Sequence, residues 1–516
     1  MIQSYKFTDG NLRVSSKSIT YNEFASLFVG PVRVSLTQDS LRNLKRSHAH
    51  FRTQLDAGET IYGVNTGFGN LSHITIDSQD QKQLQINLVR SHASGTGKPL
   101  ESGIVRAVLL LKLLTYAKGY SGVRPAVAEK IVQFLNKDIL PVIPEKGSVG
   151  ASGDLAPLGH MALALIGEGY VFFKGKKCST GTALKKARVK PLDLHPKEGL
   201  SLINGTQVST ALAIKALLDG ECLLKSADIA GALSVENSFS SRRVFKNDIH
   251  EIKAHPGQKA AAKNVYRMLQ GSEIVQSHSN CGKVQDPYSF RCIPHIHGAC
   301  RDSYTHAAEM INHEINSVSD NPLILKDGTI VSSGHFHAEH VAQALDFLAI
   351  SFSELGAVSE RRTHFFMKGV EGKFHPFVTS TPGVESGYMI AHVTASALAS
   401  ENKTLSHPAS VDSLTTSGGQ EDLVSMAPWA GHKLLSIQKN LSTILAIELI
   451  VAGAANTLAS SALQAGRGTG PVLTLLGAYC AYRTGDRPLA SEINSVAQCI
   501  QSGLLLKTVS QAIHLE

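Results

Sequence analysis

Apolar residues recur at helical spacing along most of the chain beyond residue 210. Across residues 336–362, Val341, Leu345, Leu348, Phe352 and Leu355 fall on one face of a helix, and no proline interrupts the run. Residues 432–463 carry a second such pattern, which would extend about 48 Å at roughly 1.5 Å per residue, longer than typical globular helices. Ser, Ala and Gly spaced along it permit close helix contacts. Helices of that length, each with an apolar stripe, need partners in the same chain or in other subunits.

Before residue 210 the pattern is broken up. Helical periodicity is confined to stretches such as residues 80–91 and 104–116, separated by irregular glycine-rich segments such as IYGVNTGFGNLSH. Residues 169–178, GYVFFKGKKC, have the alternation of a small hairpin with its turn around Gly175. These patterns predict a mainly α protein with a smaller mixed N-terminal domain, residues 1–210, and a C-terminal long-helix domain, residues 211–516. No internal repeat or low-complexity linker divides the chain.

At 516 residues the chain can bury a large core. Its longest apolar stretches, such as residues 444–455, are interrupted by Glu448 or are too short to cross a bilayer, and the N-terminal MIQSYKFTDG lacks the apolar core of a signal peptide. The expectation is a cytoplasmic protein with no membrane partner. Seven cysteines, an odd count with no Cys-x-x-Cys pair, argue for reduced thiols rather than a disulfide framework or structural zinc. The formal charge of +8 is scattered, and its densest group, residues 185–190, is short. Without a basic face or an aromatic stacking motif, no nucleic-acid partner is expected.

The chemistry concentrates in GSVGASGDLAPLGH, residues 147–160. Its glycines either punctuate a turn, with Ser152 capping the next helix, or let Ala151-Ser152-Gly153 react internally. In the second case the nitrogen of Gly153 attacks the carbonyl of Ala151, Ser152 loses water, and a five-membered ring with an electrophilic methylene results. A hydrolase nucleophile elbow is excluded by spacing, because no glycine stands two places after Ser152. Four further segments carry candidate chemistry: YGVNTGFG with Tyr62, LQINLVRSHASG with His92, NGTQ with Asn204 and Gln207, and VQDPYSFRC with Gln285, Tyr288 and Arg291. Downstream lie SGHFHAEH with His335 and Phe336, SGYMIAH with Met389, and SGGQEDLVSM with Gln420 and Glu421.

Together these segments resemble the histidine and phenylalanine ammonia-lyase family, over residues 60–430. The resemblance implies an aspartase/fumarase-like long-helix bundle and a 4-methylideneimidazol-5-one (MIO) electrophile formed from Ala151, Ser152 and Gly153, with neither pyridoxal phosphate nor a required metal. It assigns Tyr62 to proton abstraction from the substrate β-carbon. Tyrosine is a poor base at neutral pH, so that role calls for nearby hydrogen bonds or positive charge. Tyr288 is implied to sit beside the electrophile, Asn204 to donate to the ring's oxygen, and Arg291 to fork onto the substrate carboxylate. His92, Gln285, His335, Phe336, Met389 and Gln420 are implied to line the substrate site.

Glu421 speaks most directly to the substrate. A carboxylate is costly opposite a phenyl ring but accepts a hydrogen bond from an imidazole N–H. With Met389 and Gln207 it resembles the histidine branch, which implies elimination of ammonia from L-histidine to give trans-urocanate. The resemblance also implies a homotetramer whose subunits share active sites.

The sequence departs from the family pattern at His295, where glutamine is common, and at His335, where asparagine is. Three alternatives stand beside elimination. An aminomutase, or a lyase acting on tyrosine or phenylalanine, would keep the same electrophile. A metal enzyme could use His335, His337 and His340 beside Glu339, but residues two apart share a helix face poorly, so His335 and His337 chelate together only if the helix begins after them. A non-catalytic family member is opposed by the intact triplet, both tyrosines and Arg291.

Overall fold

The computed structural model describes residues 11–279, 281–482 and 485–516. Its bundle is built from the helices Gln207–Asn237, Ile293–Ile315, Glu339–Met367, Met389–Leu405 and Ala427–Ala459. Ala427–Ala459 lies at the centre, packed against Glu339–Met367, Gln207–Asn237 and Met389–Leu405. From Ile444 to Ala455 it is buried on every face, as a helix that is apolar all round must be. Close approach is built in with small residues: a Cβ at Gly431 would lie 2.8 Å from the Leu212 Cβ. The apolar windows of Glu339–Met367 and Ala427–Ala459 are 72% and 83% buried within the molecule, so their apolarity belongs to the core.

Both long helices expected from the sequence form, with shifted ends. The one anticipated over residues 432–463 is Ala427–Ala459. It begins earlier because Pro428 sits in the first turn, where its missing N–H is not needed. It ends earlier because the chain must cross Pro256–Met268, where a Cβ on Gly466 would lie 2.5 Å from the Met268 carbonyl. The helix anticipated over residues 336–362 is Glu339–Met367. At its start the His337 N–H closes a turn on the Gly334 carbonyl at 2.9 Å.

In the N-terminal part, Gln81–His92 and Ser102–Ala117 form near their expected places. The hairpin pairs Tyr170–Phe173 with Lys176–Ser179 and adds Ile139–Pro141 on its other side, all antiparallel. Its turn residues Lys174 and Gly175 have φ of 52° and 74°, the backbone of a two-residue hairpin loop. Short pairs complete the mixed part: Asn11–Val14 parallel to Arg33–Leu36, Thr96–Pro99 against Pro144–Lys146, and Leu323–Ile324 against Ile330–Val331. The boundary drawn at residue 210 falls inside Gln207–Asn237, and one hydrophobic core runs through both halves. None of the seven cysteines is paired.

A charge network lies inside the bundle. Glu448 accepts from Arg362 Nε at 2.5 Å, Arg362 Nη2 at 2.9 Å, and the Ser234 and Ser359 hydroxyls at 2.6 Å each. Both charged side chains are fully buried. Glu448→Ala would leave the Arg362 guanidinium without its counter-charge, and urea unfolding is expected to show a loss of about 3–5 kcal/mol.

Candidate active site

The loop holding the triplet leaves the strand Pro144–Lys146 and enters the helix Leu155–Leu165. Gly147, Gly150, Ser152 and Gly153 all have positive φ, at 130°, 81°, 52° and 80°. For Ser152 this left-handed backbone costs about 1–2 kcal/mol, so neighbours must impose it. Gly153 lies where a Cβ would meet the Gly205 carbonyl at 2.2 Å, and a Cβ on Gly150 would meet Ser425 Oγ at 2.2 Å. Glycine at these two positions is therefore a packing requirement.

The imposing neighbour is the Asn204-Gly205-Thr206 segment. The Gly205 N–H donates to the Ser152 carbonyl at 3.3 Å, and the Asp154 N–H donates to the Gly205 carbonyl at 2.8 Å. The Asp154 carboxylate accepts from the Val208 and Ser209 N–H groups at 2.7 and 2.8 Å and from the Ser209 hydroxyl at 3.1 Å. It thereby caps the first turn of Gln207–Asn237, where the helix dipole favours negative charge. Burial nonetheless pushes the Asp154 carboxyl up to about 6, against the Ser209 and Val208 hydrogen bonds that favour its charged form.

Glu421 faces the triplet, its Oε1 accepting from Ser152 Oγ at 3.4 Å. Its Oε2 accepts from the Thr416 and Ser417 hydroxyls, both at 2.7 Å, which fixes the carboxylate's direction. The His92 Nδ1–H donates to the Leu88 carbonyl at 2.8 Å, leaving Nε2 as an acceptor. Burial lowers the His92 pKa, partly opposed by that carbonyl and the nearby Glu421 charge, so the ring is neutral at pH 7. The Tyr62 hydroxyl accepts from the Gly69 N–H at 2.9 Å. Its loop abuts the Glu421 loop, since a Cβ on Gly69 would lie 3.7 Å from the Ser417 Cβ. Asn204 is buried with its Nδ2 donating to Leu200 at 3.4 Å and its Oδ1 unpartnered.

Glu421 thus contacts Ser152 directly, and Tyr62, His92 and Asn204 are grouped with them through the Gly69–Ser417 approach, the nearby Glu421 charge and the Gly205 peptide. Among the described residues no hydrogen bond, ion pair or ring contact joins this group to Gln285, Tyr288, Arg291 or Met389. Tyr288 and Arg291 form a short turn held to Glu339–Met367 by the Phe290–Phe365 ring contact at 4.9 Å. The Arg291 guanidinium stacks 4.6 Å from the Tyr288 ring, its Nε is buried without a partner, and Tyr288 is 70% exposed. Gln285 and Gln420 are exposed, Phe336 and Met389 half-buried. Gln207 sits behind the loop, donating to Thr115 and the Ser319 carbonyl.

His335 is exposed, with Nδ1 on Ser333 Oγ at 2.9 Å. It lies near Glu314, which accepts from the Thr206 hydroxyl beside Gly205. His295 instead stands edge-on to His250, ring centroids 5.9 Å apart, on the outer side of the bundle. The helix does begin after His335 and His337, yet the His337 Nε2 turns to the Leu423 carbonyl at 3.3 Å. Among the described residues no group of three or more His, Cys, Asp or Glu side chains is arranged to hold a metal ion.

A model of aromatic amino acid lyases matches residues 19–478. The chain belongs to the aromatic amino acid lyase family. A histidine ammonia-lyase of Vibrio cholerae is 47% identical over 86% of this chain and 87% of its own length, and one of Idiomarina loihiensis is 44% identical over 95% and 96%. Among solved structures, histidine ammonia-lyase from Trypanosoma cruzi superposes with a TM-score of 0.89 at 33% identity, covering 98% of this chain and 96% of that one. Tyrosine aminomutase from Streptomyces globisporus superposes at 0.92 and 32%, covering 98% and 100%.

Sequence reasoning passed over two residues that hold this lyase's loop. Nothing in the local sequence around Asp154 tells that it caps a helix beginning at Gln207. Lys112, fully buried beneath Asn204, had a visible signal as a lone charge inside the apolar run of Ser102–Ala117. The carboxyl at Asp154 is protonated more readily when folded than when unfolded, so it lowers stability as pH rises from about 4 to about 6. Asp154→Asn removes that titration. Compared by urea unfolding, the wild type's advantage over this variant should be larger at pH 4 than at pH 7.

Proposed function

We propose that this chain is a histidine ammonia-lyase, converting L-histidine to trans-urocanate and ammonia. The observation that carries the reading is the Glu421 carboxylate 3.4 Å from Ser152 Oγ, aimed by Thr416 and Ser417. A carboxylate so placed suits a substrate whose ring carries an N–H, and opposes a phenyl ring. The names of the Vibrio and Idiomarina relatives support the same substrate.

The triplet also fits an electrophile made from its own backbone. The Gly153 N–H and the Ala151 carbonyl, which ring closure would join, make no hydrogen bond among the described residues, whereas the Ser152 carbonyl and Asp154 N–H are both held by Gly205. Ala151, Ser152 and Gly153 would hold the MIO ring as part of the backbone, and the ring would supply an electrophile able to turn the substrate's α-amino group into a leaving group. Tyr62 removes the β-proton, and the Gly69 N–H on its oxygen stabilises negative charge there. Glu421 holds the substrate's imidazole N–H, and the Nε2 of neutral His92 offers a second acceptor. Arg291 binds the carboxylate and so orients the β-carbon, with Gln285, Tyr288, His335, Phe336, Met389 and Gln420 completing the pocket.

This assignment needs more than one chain. Among the described residues no hydrogen bond, ion pair or ring contact links Ser152 to the exposed Tyr288 or to Arg291, whose Nε is buried without a partner, so we place them in the site of a neighbouring subunit of a homotetramer. We place the enzyme in the cytoplasm, where its unpaired cysteines stay reduced. The likeness to a tyrosine aminomutase motivates a second reading, in which ammonia returns to the β-carbon.

Incubation with L-histidine should release ammonia and raise urocanate's ultraviolet absorbance, and Ser152→Ala should abolish both. Full activity in that variant would overturn the electrophile, while β-histidine without urocanate would favour the mutase. Ser152→Ala and Arg291→Ala chains, each inactive alone, should regain part of the activity when refolded together. No recovery would place the whole site within one subunit.

A further inference from the structure

We propose that Lys112 is a positioning residue for the formation of the electrophile, polarising the Gly153 amide through two consecutive peptide units. The inference rests on the reading of the triplet given above. Lys112 projects from Ser102–Ala117 with its side chain fully buried. Its Nζ donates to the Asn204 carbonyl at 2.5 Å and to the Ser201 carbonyl at 3.0 Å. Those carbonyls lie at the C-terminal end of the helix Glu198–Ile203, where a cation is favourable.

The arrangement does more than cap a short helix. The Asn204 carbonyl and the Gly205 N–H belong to one peptide unit, and that N–H donates to the Ser152 carbonyl at 3.3 Å. The Ser152 carbonyl in turn shares its peptide unit with the Gly153 nitrogen. Hydrogen bonds in such a chain polarise one another, and a charged donor at its head strengthens each member. Burial pushes Lys112 down to about 7, while Asp320 and Asp154 favour its charged form.

Polarisation of the Ser152 carbonyl helps both steps of ring formation. It draws electron density from the Gly153 nitrogen, so that nitrogen loses its proton more easily and bonds to the Ala151 carbonyl carbon. The Ala151 oxygen takes up that proton and leaves as water with the Ser152 N–H proton, creating a carbon–nitrogen double bond. The same carbonyl acidifies the Ser152 Cα–H, whose loss expels the Ser152 hydroxyl as the second water. Two waters leave and no redox partner is required.

The test follows the intact mass of the full-length protein over time after purification, beside its circular dichroism and thermal midpoint. Wild type should be lighter than its sequence by two waters; a wild type at full sequence mass would overturn the reading of the triplet itself. Lys112→Met removes charge and donor, and Lys112→Gln keeps a neutral donor. Each should fold while ring formation slows about tenfold or more, the effect of one charge-assisted hydrogen bond, with Lys112→Gln the faster of the two. A purely structural lysine would leave the mature fraction equal to the folded fraction. Folded variants that mature at the wild-type rate would overturn the proposal, and so would failure of both variants to fold, which would assign Lys112 to folding alone.

Discussion

The reactive loop depends on one buried contact, the Asp154 carboxylate against the opening turn of Gln207–Asn237. A carboxylate without solvent is expensive unless donors surround it. Here two backbone N–H groups that the helix start leaves unpaired, together with a serine hydroxyl, all reach Oδ2, while Oδ1 is buried without a partner. The contact ties residue 154 to the start of a bundle helix and brings Gly205 against Ser152 and Gly153. The positive φ of Ser152 is thus held by the bundle rather than by the tripeptide. A triplet of the same sequence in a free loop would relax to ordinary backbone.

A second group of buried charges orders the bundle itself. Arg362 and Glu448 pair between Glu339–Met367 and Ala427–Ala459, and Arg362 Nη1 also reaches the Ser289 carbonyl at 3.4 Å. Asp228 links His297 and Arg301 of Ile293–Ile315 and Asn264 of Pro256–Met268. Apolar packing of Ala, Leu and Ile tolerates sliding of one long helix along another, whereas a bidentate pair does not. Because Ser289 lies between Tyr288 and Arg291, the pair that fixes helix register also fixes the turn assigned to the substrate carboxylate.

How much of this was legible in the sequence depended on whether the cause was local. Helical periodicity located Glu339–Met367 and Ala427–Ala459, because an apolar stripe is written into consecutive turns. Their ends moved by several residues, since Pro428 at a first turn and Gly466 at a crossing act through geometry that periodicity does not record. The glycines around Ser152 signalled an unusual bend, and the structure explains two of them by carbonyl or hydroxyl contacts with residues far along the chain. Glu421 was legible as a charge out of place among aromatic-site motifs. Its aim at Ser152, set by Thr416 and Ser417, was not. The histidines from residue 335 onward illustrate the limit: their spacing suggested ligands, but their rings turn to Ser333 and Leu423.

The proposed sharing of sites also accounts for the surface of the bundle. Phe347, Ile350, Ile390, Val393 and Trp429 stand exposed on the bundle helices Glu339–Met367, Met389–Leu405 and Ala427–Ala459. A single chain would leave that apolar surface in water, which is unfavourable when such residues cluster. Packing against other copies would cover it, and the same packing would bring one subunit's carboxylate anchor to another's electrophile. Each half of the site is then held by a different device, the Asp154 cap on one side and the Arg362–Glu448 pair on the other. Neither half has to distort the other to form, so the strained backbone at Ser152 is stabilised before any neighbouring subunit arrives.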